Sequence, residues 1–241
     1  MFHVEHPRME KIMNYPGIKC KEKQGKLDLY ARMIYESNSR FNLTGLKTLE
    51  EIQTVLIADS LSPFAAINVP RGTLIADIGT GAGIPGIPLS ILMDSAVFTL
   101  VDATQKKIGF IKDTITKLGI KNADTICCRV EELGKNPVYR ETFDWVATRA
   151  MADAYMAVEL GAPLLKTGGY LYLYASEKQA ELNERVTNHV ADLGLSELKD
   201  TAKLSVLESG CGGLLFNKIR NTDLKYPRRI QAIRRDSINI S

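Results

Sequence analysis

The stretch Asp77-Ile-Gly79-Thr-Gly81-Ala-Gly83-Ile-Pro85-Gly86 decides the architecture. It follows a strand-like run, Thr73 to Ile78, and precedes a short helical segment carrying apolar Ile87, Leu89, Ile91 and Leu92. Glycines between a strand and a helix let the backbone turn sharply and let a ligand approach where a Cβ would collide. A second strand spans Val97 to Val101, with Asp102 at its end. Beyond it come a helix from Thr104 to Leu118 and strands at Thr125 to Cys128 and Phe143 to Ala147. A helix from Ala152 to Leu164, a strand from Tyr170 to Tyr174 and a helix from Glu181 to Leu193 follow. Such alternation predicts βαβ units and a mostly parallel sheet with right-handed crossovers. Two further runs, Leu198 to Leu207 and Leu214 to Ile219, surround Gly210, Gly212 and Gly213 with no helix between them and read as an antiparallel hairpin.

Upstream of Pro70 the texture is different. Leu27, Tyr30, Ala31, Ile34 and Tyr35 fall on one helical face, and Thr48 with Glu51 forms a capping box that opens a helix through Ile52, Val55, Leu56 and Ala58. The boundary lies near Asn68 to Gly72. We therefore expect a helical N-terminal cap at 1–70, one α/β domain at 71–220 and a basic tail at 221–241. With 241 residues, 45% hydrophobic and 24% charged, disorder, collagen and coiled coil are excluded. No window approaches the ~18 consecutive apolar residues of a membrane span. Met1 to Lys11 carries His3, Glu5, His6, Arg8 and Glu10 where a signal peptide is apolar, so a cytoplasmic protein without a membrane partner is expected. Cys20, Cys127, Cys128 and Cys211 make no Cys-x-x-Cys pair, which suits a reducing compartment. With only His3, His6 and His189 beside them, no metal site is expected.

The net charge of +3 is unevenly distributed. From Lys218 to Arg235, seven basic residues (Lys218, Arg220, Lys225, Arg228, Arg229, Arg234, Arg235) face one acid, Asp223, so this segment is +6 and the rest −3. Concentrated charge of that kind is the footprint of contact with phosphate backbones, or else a merely solvated tail.

Two ligands compete for the glycine loop. Gly81-x-Gly83-x-x-Gly86 matches a dinucleotide fingerprint, with Asp102 about 20 residues on as the ribose acid. The overlapping pattern of an acid followed by alternating glycines, Asp77 through Gly83, fits S-adenosylmethionine better. That cofactor carries an ammonium and a sulfonium and no pyrophosphate, so Asp77 favours it and opposes a dinucleotide. Pro85 also removes an N–H that a pyrophosphate would use. Asp102 is placed either to accept from both ribose hydroxyls or to cap the next helix. Val130 and Glu131 follow the third strand, where an adenine edge would lie; spacing alone leaves Glu131 an exposed acid. Trp145, within a strand, reads as core. A parallel sheet ending in an antiparallel pair is the seven-stranded, Rossmann-like topology of class I methyltransferases and differs from the dinucleotide-binding version.

The sequence resembles the RsmG/GidB family of 16S ribosomal RNA guanine-N7 methyltransferases. The resemblance rests on Asn42-Leu-Thr44, Asp59-Ser60-Leu61, Asp77 through Pro85-Gly86-Ile-Pro-Leu-Ser90, Arg129-Val-Glu131, Thr148-Arg-Ala150 and Lys225-Tyr-Pro-Arg-Arg229, over about residues 25 to 238. It implies methyl transfer to N7 of one guanine in the decoding-region loop, with 16S rRNA or the small ribosomal subunit as partner. It also implies Gly79 and Ile84 as cofactor-loop contacts, Val130 and Glu131 on the adenine side, and Arg149 bordering cofactor and substrate. With the residues above, the expected cofactor set is Asp77, Gly79, Gly81, Gly83, Ile84, Asp102, Val130, Glu131 and Arg149, the last also catalytic. Lys225, Arg228, Arg229, Arg234 and Arg235 are expected to hold RNA. The chain departs from the family pattern at Leu56, where a histidine is usual, and at Ala175, where a lysine is usual, with Lys178 nearby. A non-catalytic rRNA-binding assembly factor and an NAD-dependent reductase remain as alternatives. N7 carries an in-plane lone pair and no proton, so its methylation needs alignment rather than a general base.

Overall fold

Among the described residues, seven strands form a single sheet: β1 Leu74–Ile78, β2 Val97–Asp102, β3 Ala123–Cys127, β4 Phe143–Arg149, β5 Leu165–Ser176, β6 Leu195–Glu197 and β7 Cys211–Lys218. The computed structural model describes residues 18–64, 67, 69–149, 153–176, 184–198 and 211–238. Outside them lie the segment from Met1 to Lys11, Asn68, Ala150, Ala152, Lys178, the expected helix start at Glu181, all of the run from Leu198 to Leu207 beyond its first residue, and Gly210. The strand order is β3-β2-β1-β4-β5-β7-β6. β1 pairs in parallel with β2 and β4, while β7 runs antiparallel to both β5 and β6. This is the class I methyltransferase arrangement expected from the alternation of elements. The order reverses at β1, which opens a crevice at the carboxyl ends of β1 and β4.

The helices are α1 Lys21–Phe41, α2 Leu49–Glu51, α3 Asp59–Leu61, α4 Gly86–Leu92, α5 Gln105–Leu118, α6 Val130–Leu133, α7 Ala154–Gly161, α8 Glu184–Asp192 and α9 Ile230–Ile238. One core cluster packs α1, the segment after it and α4 and α5 against one face of the sheet. The other packs α6 to α9 against the opposite face. The N-terminal helices thus share a core with the sheet, with Tyr30, Ile34, Ile57 and Leu61 buried beside Ile87 and Leu100.

Several elements differ from the sequence reading, among them β5, expected from Tyr170 to Tyr174 and observed over Leu165–Ser176. The capping box forms as expected: Thr48 Oγ1 accepts from Glu51 N–H and Glu51 answers at Thr48 N–H. The helix it opens then widens into a π turn over Ile52–Ala58, whose Val55 and Leu56 carbonyls accept from Arg149. Among the described residues a strand precedes β7 at Leu195–Glu197, where Gly194 at φ +77° turns the chain out of α8; the strand expected from Leu198 to Leu207 lies, beyond Leu198, outside the described residues. β4 runs two residues past Ala147, its pairing continuing to Arg149 opposite Tyr174. Among the described residues no helix is long and apolar enough to cross a membrane, and none of their His, Cys, Asp and Glu side chains group as a metal site.

Candidate active site

The glycine loop leaves β1 with Gly79, Gly81 and Gly83 all in the left-handed region. At Gly86 space is the constraint: a Cβ there would lie 2.0 Å from Leu100 Cδ2 and 2.7 Å from Asp77 Oδ2. Asp77 is buried at the tip of β1. Its Oδ2 accepts from Thr80 Oγ1 and from Gly86 N–H at 2.7 Å, tying both ends of the loop together. Its Oδ1 has no hydrogen-bond partner among the described residues. Burial pushes the Asp77 carboxyl up to about 7 against those two hydrogen bonds, and the charge of Asp102 adds to the rise.

Asp102 ends β2 and is also buried. Its Oδ1 accepts from Thr104 N–H at 2.8 Å and its Oδ2 from Gly81 N–H at 3.0 Å, with Lys107 Nζ 3.7 Å away. The two functions expected of it are therefore compatible: it steadies the turn into α5, yet each oxygen keeps a second lone pair. Three more of the loop amides are taken up internally. Thr80 N–H donates to Val101 O, and Gly83 and Ile84 N–H both donate to Thr80 O. A pyrophosphate needs such amides free; a cation does not.

Tyr30 of α1 was not singled out as functional from sequence. It is fully buried, and its hydroxyl donates to Ala82 O at 2.9 Å, holding the crest of the loop from outside the sheet. Its position on an apolar helical face carried no sign of this. Val130 and Glu131 open α6 directly after Arg129 at the carboxyl end of β3, Val130 buried and Glu131 half-buried. Ile84 is buried in the loop. Arg149, at the end of β4, reaches the N-terminal segment: Nη2 donates to Val55 O at 2.6 Å and Nη1 to Leu56 O and Ser60 Oγ, both at 3.2 Å. Thr148 Oγ1 donates to Ile78 O at 2.8 Å and locks the ends of β4 and β1 together. Asp77, the glycines, Ile84, Asp102, Val130, Glu131 and Arg149 thus all stand on one edge of the sheet, at the carboxyl ends of β1 to β4. Trp145, expected in the core, stacks on Tyr170 with centroids 4.7 Å apart and meets Phe64 edge-on at 5.5 Å.

The basic segment is less uniform than its composition. Lys218 is fully buried, bonded to Ala162 O and Thr222 Oγ1. Burial pulls its pKa down to about 8; Glu141 opposes this, and Arg140 and Arg220 add to it. As a phosphate contact it is a correction: strand β7 turns its side chain inward. Arg220 donates to Ala191 O and Asp192 O at the end of α8. Arg228 grips buried Glu159 through its backbone N–H, Nε and Nη2, and Asp236 through Nη1 at 2.6 Å. His189 Nε2 lies 3.0 Å from Glu159 Oε2, and its ring stacks on Tyr155 at 3.9 Å. Burial of Glu159 works against its ionisation, but His189 beside it and the hydrogen bonds from Arg228 bring its pKa down to about 2. Lys225, Arg229, Arg234 and Arg235 are exposed: Lys225 lies 4.0 Å from solvated Asp223, and Arg235 3.7 Å from Asp236, the carboxylate that also holds Arg228.

Residues 23–203 match the GidB family, described as rRNA small subunit methyltransferase G. The chain belongs to this family. It is 34% identical over 213 residues to a ribosomal RNA small subunit methyltransferase G of Trichormus variabilis, covering 86% of this chain and 87% of that one. A protein of the same name from Fervidobacterium nodosum is 38% identical over 193 residues, covering 80% and 89%. Among solved structures, the aminoglycoside resistance methyltransferase NpmB1 is similar at a TM-score of 0.47 and 20% identity, over 62% of this chain and 88% of that chain. Family membership makes the chain a methyltransferase, and the strand order gives the fold that goes with it.

Proposed function

We propose that the chain transfers a methyl group from S-adenosylmethionine to N7 of a guanine in the decoding-region loop of 16S ribosomal RNA, working in the cytoplasm where that RNA is made. The observation that carries this reading is the loop itself. Two buried carboxylates flank it, one with an oxygen left over, and the amides of Thr80, Gly81, Gly83, Ile84 and Gly86 are all occupied. Such a loop suits a cationic cofactor and disfavours the pyrophosphate of NAD.

When bound, S-adenosylmethionine supplies an electrophilic methyl carbon on a sulfonium. Asp77 biases the crevice toward positive charge. Gly79 and Gly81 offer backbone surface with no side chain of their own, and Gly83 and Ile84 continue the loop beside them. Asp102 has lone pairs for two ribose hydroxyls, and Val130 and Glu131 stand at the end of β3 for the adenine side. Arg149 fixes a positive charge at the end of β4, between donor and base. No residue is needed to remove a proton, since guanine N7 has none to lose; the task is to bring N7, methyl carbon and sulfur into line. Lys225, Arg229, Arg234 and Arg235 supply charge for the RNA backbone, while Arg228, its guanidinium held by two carboxylates, serves the RNA by docking α9.

The test is incubation with methyl-labelled donor and unmodified small subunits or free 16S RNA, followed by mapping of the label. We expect one 7-methylguanosine in the decoding-region loop. Tight donor binding without transfer to RNA would overturn the enzymatic reading in favour of an rRNA-binding factor, and stoichiometric NAD binding would overturn the cofactor.

A further inference from the structure

Arg149 is held to an unusual degree for a residue at the edge of a substrate crevice. Val55 O, Leu56 O and Ser60 Oγ take three of its five N–H groups, and Asp59 Oδ2 lies 3.7 Å from Nη2. The Tyr174 ring lies under the guanidinium at 5.8 Å, and the Tyr174 hydroxyl donates to Ser60 O at 2.6 Å. Ser60 Oγ also donates to Leu56 O, so hydroxyl, carbonyl and guanidinium close a small ring of contacts. Asp59 and Ser60 are both buried. All four partners belong to the π turn over Ile52–Ala58 or to the two residues after it. Wide turns of this kind are rare and cluster at functional sites. Here the regular i to i+4 pattern is given up where two successive carbonyls take the arginine.

An arginine that swings out to clamp a phosphate needs its N–H groups free. One already ordered by its own protein presents a fixed charge and loses no rotamer freedom when the reacting atoms align. We propose that Asp59 and Ser60 are positioning residues for methyl transfer: with the carbonyls of Val55 and Leu56 they set the Arg149 guanidinium, so the helical segment before β1 is part of the catalytic apparatus. This rests on the reading that Arg149 borders donor and base.

The experiment compares Ser60→Ala, Ser60→Thr, Asp59→Asn, Arg149→Ala and the Ser60→Ala/Arg149→Ala double variant of the full chain. The readouts are kcat with unmodified small subunits, affinity for S-adenosylhomocysteine and the thermal midpoint. Loss of one charge-assisted hydrogen bond predicts that Ser60→Ala lowers kcat about tenfold, with product affinity within about twofold and little change in midpoint. Ser60→Thr keeps the hydroxyl and restores kcat. On the Arg149→Ala background, Ser60→Ala costs nothing further, because its target is gone. The proposal is overturned if Ser60→Ala and Asp59→Asn keep kcat while Arg149→Ala loses it, or if the losses multiply in the double variant. An Arg149→Ala protein that keeps both kcat and product affinity overturns the assignment of Arg149 itself, and the positioning roles with it. Absence of transfer by the unmodified protein overturns the methyltransferase reading first.

Discussion

Asp77 concentrates the electrostatics of the crevice in one side chain. Burial raises its pKa from the usual 3.8 to about 7, so the folded state prefers the protonated form. The stabilisation this gives is complete below 3.8 and is lost as pH rises toward 7. A bound cation shifts the preference the other way. Donor binding should therefore release a proton near neutrality and weaken as pH falls below 7. Calorimetric titration in buffers of different ionisation enthalpy measures this, and a pH-independent affinity would contradict it. Asp77→Asn at pH 8 should cost at least about tenfold in donor affinity, equivalent to ~1.4 kcal/mol, while the protein stays folded because the buried charge is removed. Tyr30 makes a quieter contribution. Tyr30→Phe strands the Ala82 carbonyl and should cost roughly 1–3 kcal/mol in denaturant unfolding, with donor-product affinity falling several-fold as the loop crest relaxes.

At the scale of elements, two junctions hold the site. The first is α4 against β1 and β2, where Gly86 leaves no room for a methyl beside Leu100 and Asp77. Gly86→Ala should destabilise by about 3 kcal/mol or more through overpacking, with donor binding lost in parallel; chemical denaturation and product titration check both. The second junction is α9 on α7 and α8, through Arg228, Glu159 and His189. Arg228→Ala removes the guanidinium and leaves fully buried Glu159 with the residue-228 backbone N–H and His189 but no permanent positive charge, so it should cost about 3–5 kcal/mol, measured as a shift in urea midpoint. Because the Glu159 pKa is held at about 2 in the folded state against 4.5 ordinarily, its stabilisation is complete above 4.5 and is lost as pH falls toward 2.

At the scale of the whole molecule, the crevice edge carries buried Asp77 and Asp102 beside Lys107 and Arg149, whereas the solvated cations of the tail surround the start and end of α9. If Lys225, Arg229, Arg234 and Arg235 meet RNA backbone, replacing any one with Gln should lower the salt slope of RNA binding by about 1 and weaken all sequences alike. Arg228→Gln should behave differently, lowering stability more than it lowers that slope. Filter binding across a salt series separates the two classes, and an unchanged slope in all four surface variants would remove the tail from the interface.

The order of strands and helices, the glycine turn with its two acids, the capping box at Thr48 and Glu51, and the family itself are legible along the chain. They depend on neighbours within a few residues or on one period of apolar spacing, and local steric and hydrogen-bonding rules act at that range. What folding alone decided spans long separations. Tyr30 reaches Ala82 across 52 residues and Arg149 reaches Val55 across 94. Lys218 and Arg228, indistinguishable by composition from their basic neighbours, are drawn inward by partners such as Ala162 and Glu159, 56 and 69 residues away. A side chain's charge is written in the sequence; whether water or a buried oxygen answers it depends on which distant segments the core brings together.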